Sequence, residues 1–306
     1  MPSNPVPWPN SAKCAAAITF DTDADSILHL QYPDDAVRRV ATQSFLRFGP
    51  KVGIPRILET YRKFGIKQTF CVPGWCAERY SETVEAIVAD GHEVAHHGYL
   101  HESPNKRSRD EEHEWLVRGI EAIEKVTGRR PRGWRAPLYD FSEHSLDLLL
   151  QEGFEYDSSL MGDELPYVIR SKQGGEVIEL PTEWAMDDAV QYLFSLDLGL
   201  TMTIQPPARA IEVFVSELEA ACAQGGLWVT VWHPFITGRR ARWHQVELLI
   251  ESMLERGDIW FAPMEEIAAH VRKCIDDGSY TPRVEELPTY EGRIPELPTD
   301  AVGEGI

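Results

Sequence analysis

Carboxylates, imidazoles and one arginine gather at four places in this sequence, each where an apolar run stops. The first is Thr19-Phe20-Asp21-Thr22-Asp23-Ala24-Asp25. Alternation along an extended chain puts Asp21, Asp23 and Asp25 on one side. Neighbouring carboxylates repel, so the cluster calls for a cation or a positively charged partner. A calcium loop fits poorly, because Ser26 and Tyr32 stand where that loop needs Gly and Glu. A solvated turn is the plain alternative.

The second place is His92-Glu93-Val94-Ala95-His96-His97-Gly98-Tyr99-Leu100-His101. His97 and His101 are four apart, and on one helical turn that spacing aligns two imidazoles to grip one metal. Gly98 and Tyr99 follow where a zincin would carry its Glu, so a general base must come from elsewhere, and the Asp cluster can supply it. The third place, Gly133-Trp134-Arg135-Ala136-Pro137-Leu138-Tyr139, ends a strand in a charge that wants a carboxylate, with Asp21 as candidate. The fourth, Trp228-Val229-Thr230-Val231-Trp232-His233-Pro234, ends an apolar strand in a histidine suited to general acid work. Core or surface histidines and a structural ion pair are the competing readings of each place taken alone.

The elements that must position these groups alternate along the chain. Strands are expected at 15–21, 68–72, 93–97, 133–136, 154–158, 177–180, 227–232 and 259–262, most of them continuous apolar runs suited to burial on both faces. Helical patterns fall at 54–64, 81–90, 109–127, 142–152, 208–223, 242–255 and 264–275, several ending at Gly. This βα alternation predicts an α/β fold, either a barrel or a doubly wound sheet, in one domain over residues 1–278. Active sites of α/β barrels lie at the C-terminal ends of the strands, where all four places fall.

Two connections, 26–53 and 183–207, exceed the length of plain turns and are rich in aromatic and apolar residues, which suits lids, insertion packing or a subunit contact. Residues 279–306 form an acidic, proline-containing arm that cannot fold on its own, and it carries no evident chemistry.

Composition narrows the partners. The chain has 306 residues, 30 Lys and Arg against 49 Asp and Glu, and a formal net charge of −19. That balance repels phosphate backbones and anionic membranes, so neither nucleic acid nor membrane is expected as a partner. No stretch approaches the roughly 18 apolar residues of a membrane span. The first fourteen residues hold several prolines and no apolar run, so no secretory leader is expected there and the cytoplasm is the expected compartment. Five scattered cysteines, Cys14, Cys71, Cys76, Cys222 and Cys274, read as free buried thiols in a reducing compartment.

Taken in order, the Thr-Phe-Asp opening, the His-x-x-x-His pair, the arginine motif and the strand ending in His-Pro resemble the polysaccharide deacetylase family of metal-dependent hydrolases. The resemblance runs from about Ala15 to Ala262 and implies a distorted (β/α)-barrel. It implies Asp21 as catalytic base, Asp23, His97 and His101 as metal ligands, Arg135 as the group that orients the base, and His233 as general acid. Asp157 would steady His233, and Leu138, Tyr139 and Trp184 would serve the oxyanion and substrate. The cofactor implied is one divalent ion, Zn2+ first, with Co2+, Ni2+ or Mn2+ as alternatives.

Two departures stand out. Thr22 separates Asp21 from Asp23, which are adjacent and followed by Gly in the usual pattern, and Leu138 intervenes before Tyr139. The Asp-x-Asp variant, with Trp184-Ala-Met-Asp-Asp188, is similar to a subgroup of cyclic imide hydrolases, a Helicobacter-type peptidoglycan deacetylase and metal-free allantoinases. The expected reaction is hydrolysis of a non-peptide carbon–nitrogen bond in a small soluble amide or cyclic imide. N-deacetylation of peptidoglycan or another amino sugar is the alternative, a metal-free allantoinase-like reaction the second, and a homo-oligomer is expected.

Overall fold

Strand β1 (Cys14–Asp21) carries no charge until its last residue, and all eight positions are buried, as its unbroken apolar run requires. The computed structural model describes residues 5–290. Around β1 stand β2 (Thr69–Val72), β3 (Glu93–His96), β4 (Gly133–Trp134), β5 (Tyr156–Asp157), β6 (Tyr167–Ser171) and β7 (Glu176–Glu179). A short hairpin, β8 (Phe194–Ser195) with β9 (Leu200–Thr201), precedes β10 (Leu227–Trp232), β11 (Ile259–Phe261) and β12 (Val284–Leu287). The large sheet runs β10-β1-β2-β3-β4-β5-β7-β6-β12, with β11 also on β1. Every pairing in it is parallel except β6 with β7. Beyond β7 the chain returns to the other end of the sheet, where Asp187 bridges Val231 of β10. The result is an irregular parallel barrel wrapped by helices, the distorted (β/α)-barrel that the motifs implied.

Helices cover the outside. Ile54–Phe64 and Arg109–Thr127 span the residues their periodicity predicts. The second begins in a reciprocal capping box between Ser108 and Glu111 and ends at Gly128, whose φ of +71° is left-handed. Between helices and strands lies a core built on Ile18, Phe20, Phe70, Trp228, Trp232 and Trp243. Phe20 stacks on Phe70 at 5.8 Å, which locks β1 to β2 beneath Asp21.

The structure departs from the sequence reading in several places. Connection 26–53 is helical in part, with Ser26–Gln31 and Val40–Leu46, and 183–207 holds a helix over Asp188–Tyr192 beside the β8–β9 hairpin. The two connections grip each other: the Tyr32 hydroxyl donates to Asp197 O at 2.7 Å, and Arg39 and Thr42 bind the Asp197 carboxylate. In the acidic arm, Val284–Leu287 adds a parallel strand to β6, so its backbone groups are satisfied by the sheet edge. Residues 291–306 of that arm lie outside the described residues. Cys14 and Cys222 form a disulfide pair with a Cα–Cα distance of 4.7 Å, which corrects the free-thiol expectation for these two. Strand β1 and helix Pro207–Gln224 bring them together, a juxtaposition that spacing in sequence does not reveal. Cys71, Cys76 and Cys274 are free and buried.

Candidate active site

Asp21 ends β1, and the chain turns into the site over the next four residues. Asp23 and Asp25 are both buried, and the turn is sustained by Ala24 in the left-handed region, φ +47°. Ala24 thus adopts the conformation that a glycine takes more easily there. The Asp23 carbonyl is fixed by the Ser26 hydroxyl at 2.7 Å and the Cys76 thiol at 3.0 Å. That leaves the Asp23 carboxylate pointing at imidazoles. Its Oδ1 lies 3.4 Å from His97 Nε2, and its Oδ2 lies 3.6 Å from His101 Nε2 and 3.4 Å from His233 Nε2.

His97 and His101 do meet, but not on a helical turn. His97 follows β3, and the segment to His101 is an irregular loop in which Gly98 and His101 have φ of +72° and +67°. Glu102 stitches this loop, accepting Tyr99 N–H at 2.9 Å and Leu100 N–H at 2.7 Å. The 3.6-residue reading fails because Gly98 reverses the backbone, and four residues of loop span what a helical turn would.

Whether these residues fit a metal can be judged from their atoms. One ligand atom each from Asp23, His97 and His101 lies within 4.8 Å of the others. Asp23 Oδ1 is buried without a hydrogen-bond partner. The Nδ1 atom of His97 lies 2.8 Å from Arg135 O, so it carries the proton and leaves the Nε2 lone pair facing Asp23. A buried carboxylate and two imidazoles suit a borderline-soft divalent ion. The residues fit. Electrostatics agree at Asp23 and His101, whereas at His97 burial would lower the pKa but Asp21 first and Asp23 next raise it. Burial alone would raise Asp23, yet His101, His233 and His97 outweigh it and hold the carboxyl well below its ordinary value. Burial pushes His101 down to about 4, toward the neutral form a metal needs.

Arg135 is fully buried and reaches Asp21 Oδ1 with Nη1 at 2.7 Å. Its Nε donates to Ser158 O at 2.9 Å and Nη2 to Ser158 Oγ at 3.0 Å, so the guanidinium cannot swing away. On the opposite side His233 follows β10, with Nδ1 2.6 Å from Asp188 Oδ1. Burial would lower its pKa, but Asp188 first and Asp23 next raise it well above the ordinary value. Both carboxylates therefore favour the protonated imidazole. Next to the Arg135 motif, Leu138 and Tyr139 both have left-handed backbone, φ +59° and +58°, at a cost on the order of 1–3 kcal/mol each. Tyr139 N–H is used by Ala136 O at 3.0 Å, so Leu138 N–H is the amide of this turn left for a ligand. Trp184 stands edge-on to Tyr139 at 4.9 Å between ring centroids and is 56% exposed.

The fold and these motifs have relatives. Residues 45–156 match the polysaccharide deacetylase family. A peptidoglycan deacetylase of Helicobacter pylori is 36% identical over 185 residues, 53% of this chain and 61% of that protein. A peptidoglycan deacetylase-like protein of Gibberella zeae is 33% identical over 48% of this chain and 51% of its own length. The matches thus span about half to three-fifths of these curated relatives. A solved structure of polysaccharide deacetylase type from Mycobacterium smegmatis is 43% identical, with a TM-score of 0.87, and covers 94% of this chain and 99% of that one. The chain belongs to the polysaccharide deacetylase family. An allantoinase structure at 22% identity, TM-score 0.77, shares the fold over 91% of this chain and 96% of its own.

Asp21, Asp23, His97, His101, Arg135 and His233 meet in one buried cluster, with Leu138, Tyr139 and Trp184 beside it. Asp157 is the exception. Its carboxylate accepts from Ser159 Oγ at 2.7 Å and lies against Glu179, not against His233. The acid beside His233 is Asp188, which sequence reasoning missed as a partner although the Asp187-Asp188 pair was visible. It comes from a long connection whose path no periodicity fixes. Asp187 was missed too: its Oδ2 accepts the Tyr139 hydroxyl at 2.7 Å.

Proposed function

We propose that this protein hydrolyses an amide carbon–nitrogen bond in a small molecule, a cyclic imide or similar amide, with a divalent ion held by Asp23, His97 and His101. The observation that carries the proposal is the convergence of two pairs and a trio in one buried cluster: Asp21 with Arg135, His233 with Asp188, and Asp23 with the two imidazoles. An ion bound there, zinc by preference, supplies Lewis acidity toward water and the amide carbonyl.

The chain's own groups do the remaining work. Asp21, clamped by Arg135, takes a proton from the attacking water. Arg135 fixes the orientation of that carboxylate through a charge-assisted hydrogen bond. The oxygen that becomes negative as water adds to the carbonyl carbon receives a hydrogen bond from Leu138 N–H. His233 donates its proton to the leaving nitrogen as the C–N bond breaks, and Asp188 holds the ring in the tautomer this requires. A carboxylate and a free amine, or a ring-opened amide, result. Trp184 offers the substrate an apolar face at the rim.

Burial of the reacting groups favours the small substrate. Asp21, Asp23, His97, His101 and His233 are each under 10% exposed, and the two long connections are fastened to each other through Asp197. The relatives' deacetylase names favour a second reading, removal of acetyl from an N-acetylated amino sugar. Assaying the purified chain against succinimide and N-acetylglucosamine oligomers, with metal analysis alongside, separates them. Ring opening with about one ion per chain supports the imide, acetate release supports the amino sugar, and full activity after metal removal would overturn the metal-dependent mechanism in favour of an allantoinase-like one.

A further inference from the structure

The turn that presents Leu138 N–H is unusual in needing two successive left-handed residues without glycine, and Leu138 leaves its side chain 61% exposed. Burial of Leu138 therefore does not hold the turn, and such strain persists only where neighbours over-determine the backbone. Three fastenings do so. Ser159 Oγ accepts Ala136 N–H at 2.8 Å. The Asp140 carboxylate takes Ser103 and Asn105, which follow the His101 loop. The Tyr139 hydroxyl donates to Asp187 Oδ2 at 2.7 Å, while Asp187 Oδ1 accepts Ala189 N–H at 2.7 Å and is thereby fixed in turn.

Asp187 and Asp188 divide two tasks between adjacent carboxylates. Asp188 bonds His233, while Asp187, whose Oδ1 also lies 3.9 Å from His233 Nδ1, turns its Oδ2 to the Tyr139 hydroxyl. We propose that Asp187 is a positioning residue: through the Tyr139 hydroxyl it holds the strained 136–140 turn so that Leu138 N–H meets the developing oxyanion. This ties the turn to the segment that carries the general acid's partner, so oxyanion donor and proton donor keep a fixed separation. The inference rests on the amide hydrolysis proposed above.

Tyr139→Phe removes one oxygen and leaves the ring against Trp184. With metal content unchanged, its kcat should fall about 10- to 100-fold on whichever of succinimide or N-acetylglucosamine oligomers the wild type hydrolyses, with KM within about threefold, because a donor aimed at the transition state acts on kcat. Asp187→Ala should show the same split, Asp187→Asn should recover part of it, and adding Tyr139→Phe to Asp187→Ala should cost nothing more. Hydrogen exchange at the Tyr139 and Asp140 amides, bonded to Ala136 O and Pro137 O, should quicken in Tyr139→Phe while β1 amides stay protected. An unchanged kcat in Tyr139→Phe, or a change confined to KM, would overturn the inference. A wild type inactive on both substrates would instead sink the amide-hydrolysis reading, and unchanged exchange in Tyr139→Phe would then still overturn the holding role.

Discussion

His233 Nδ1 stands 2.6 Å from Asp188 Oδ1, and the other oxygen of the same carboxylate accepts the backbone N–H of His233 at 3.0 Å and of Thr237 at 3.2 Å. One fully buried carboxylate thus fixes both the ring and the backbone that carries it. Replacing Asp188 by Asn keeps the shape but offers Nδ1 an amide that can donate instead of accept. The expected result is a kcat loss of about 10²- to 10⁴-fold, the range for a misdirected acid–base group, with bound metal unchanged. Steady-state kinetics beside elemental analysis checks it, and a loss of metal in step with activity would contradict it.

Base and ligand should separate cleanly. His97→Ala removes a donor whose Nδ1 is already spent on Arg135 O, so no other atom of the residue can substitute. Metal should drop from about one per chain to a small fraction, taking activity with it. Asp21→Asn leaves Asp23, His97 and His101 in place and should retain the ion while losing kcat by at least about 10²-fold. Equilibrium dialysis against Zn2+ followed by metal analysis distinguishes the two variants. Equal metal loss in both would mean that Asp21 is a ligand instead of a base.

Strand ends were the most legible part of this sequence, and connections the least. The apolar runs closing in Asp21, His97, Arg135 and His233 marked the mouth of the barrel because a buried strand tolerates charge only where it emerges. Helices such as 54–64 and 109–127 were equally plain, since their caps and periodicity are local. Long-range facts were not. The approach of Cys14 to Cys222, the antiparallel β6 and the edge strand β12 depend on pairings that no local pattern encodes. The role that the family resemblance implied for Asp157 fails for the same reason: the partner of His233 is Asp188, in an irregular connection. The spacing of His97 and His101 implied a shared helical turn, whereas an irregular loop brings their imidazoles together.

Helix propensity and packing make opposite predictions at Gly119. This glycine sits inside helix Arg109–Thr127, where Ala would ordinarily add about 1 kcal/mol of stability. A Cβ there, however, would lie 2.2 Å from His96 Nε2 and 3.0 Å from Gly98 O. His96 precedes His97, and its Nε2 is already committed to Leu116 O at 3.1 Å. Overpacking of this kind costs about 1–3 kcal/mol and occasionally more, so it should win. Gly119→Ala is expected to lower the thermal midpoint and weaken metal binding together, read by calorimetry and zinc titration. A stabilised variant would show that the loop behind His97 yields more easily than the contacts imply.

Acid sensitivity should trace in part to His92, away from the cleft. Its Nδ1 accepts Gln68 N–H at 3.1 Å, its Nε2 is buried without a partner, and its ring lies 5.3 Å from that of Tyr61. Burial first, and Lys67 next, push its pKa down to about 4 from the ordinary 6.5. A folded-state pKa below the unfolded one means stability fully present above about pH 6.5 and lost as pH falls toward 4, because the unfolded chain binds the proton first. The slope in that window is at most about 1.4 kcal/mol per pH unit, and less to the extent that solvent reaches the ring. His92→Asn keeps an acceptor near Gln68 N–H and cannot protonate, so its unfolding free energy should vary less with pH between 6.5 and 4 than that of the wild type. Urea unfolding at half-unit pH steps measures the difference, and parallel curves for the two proteins would assign the acid sensitivity to other groups.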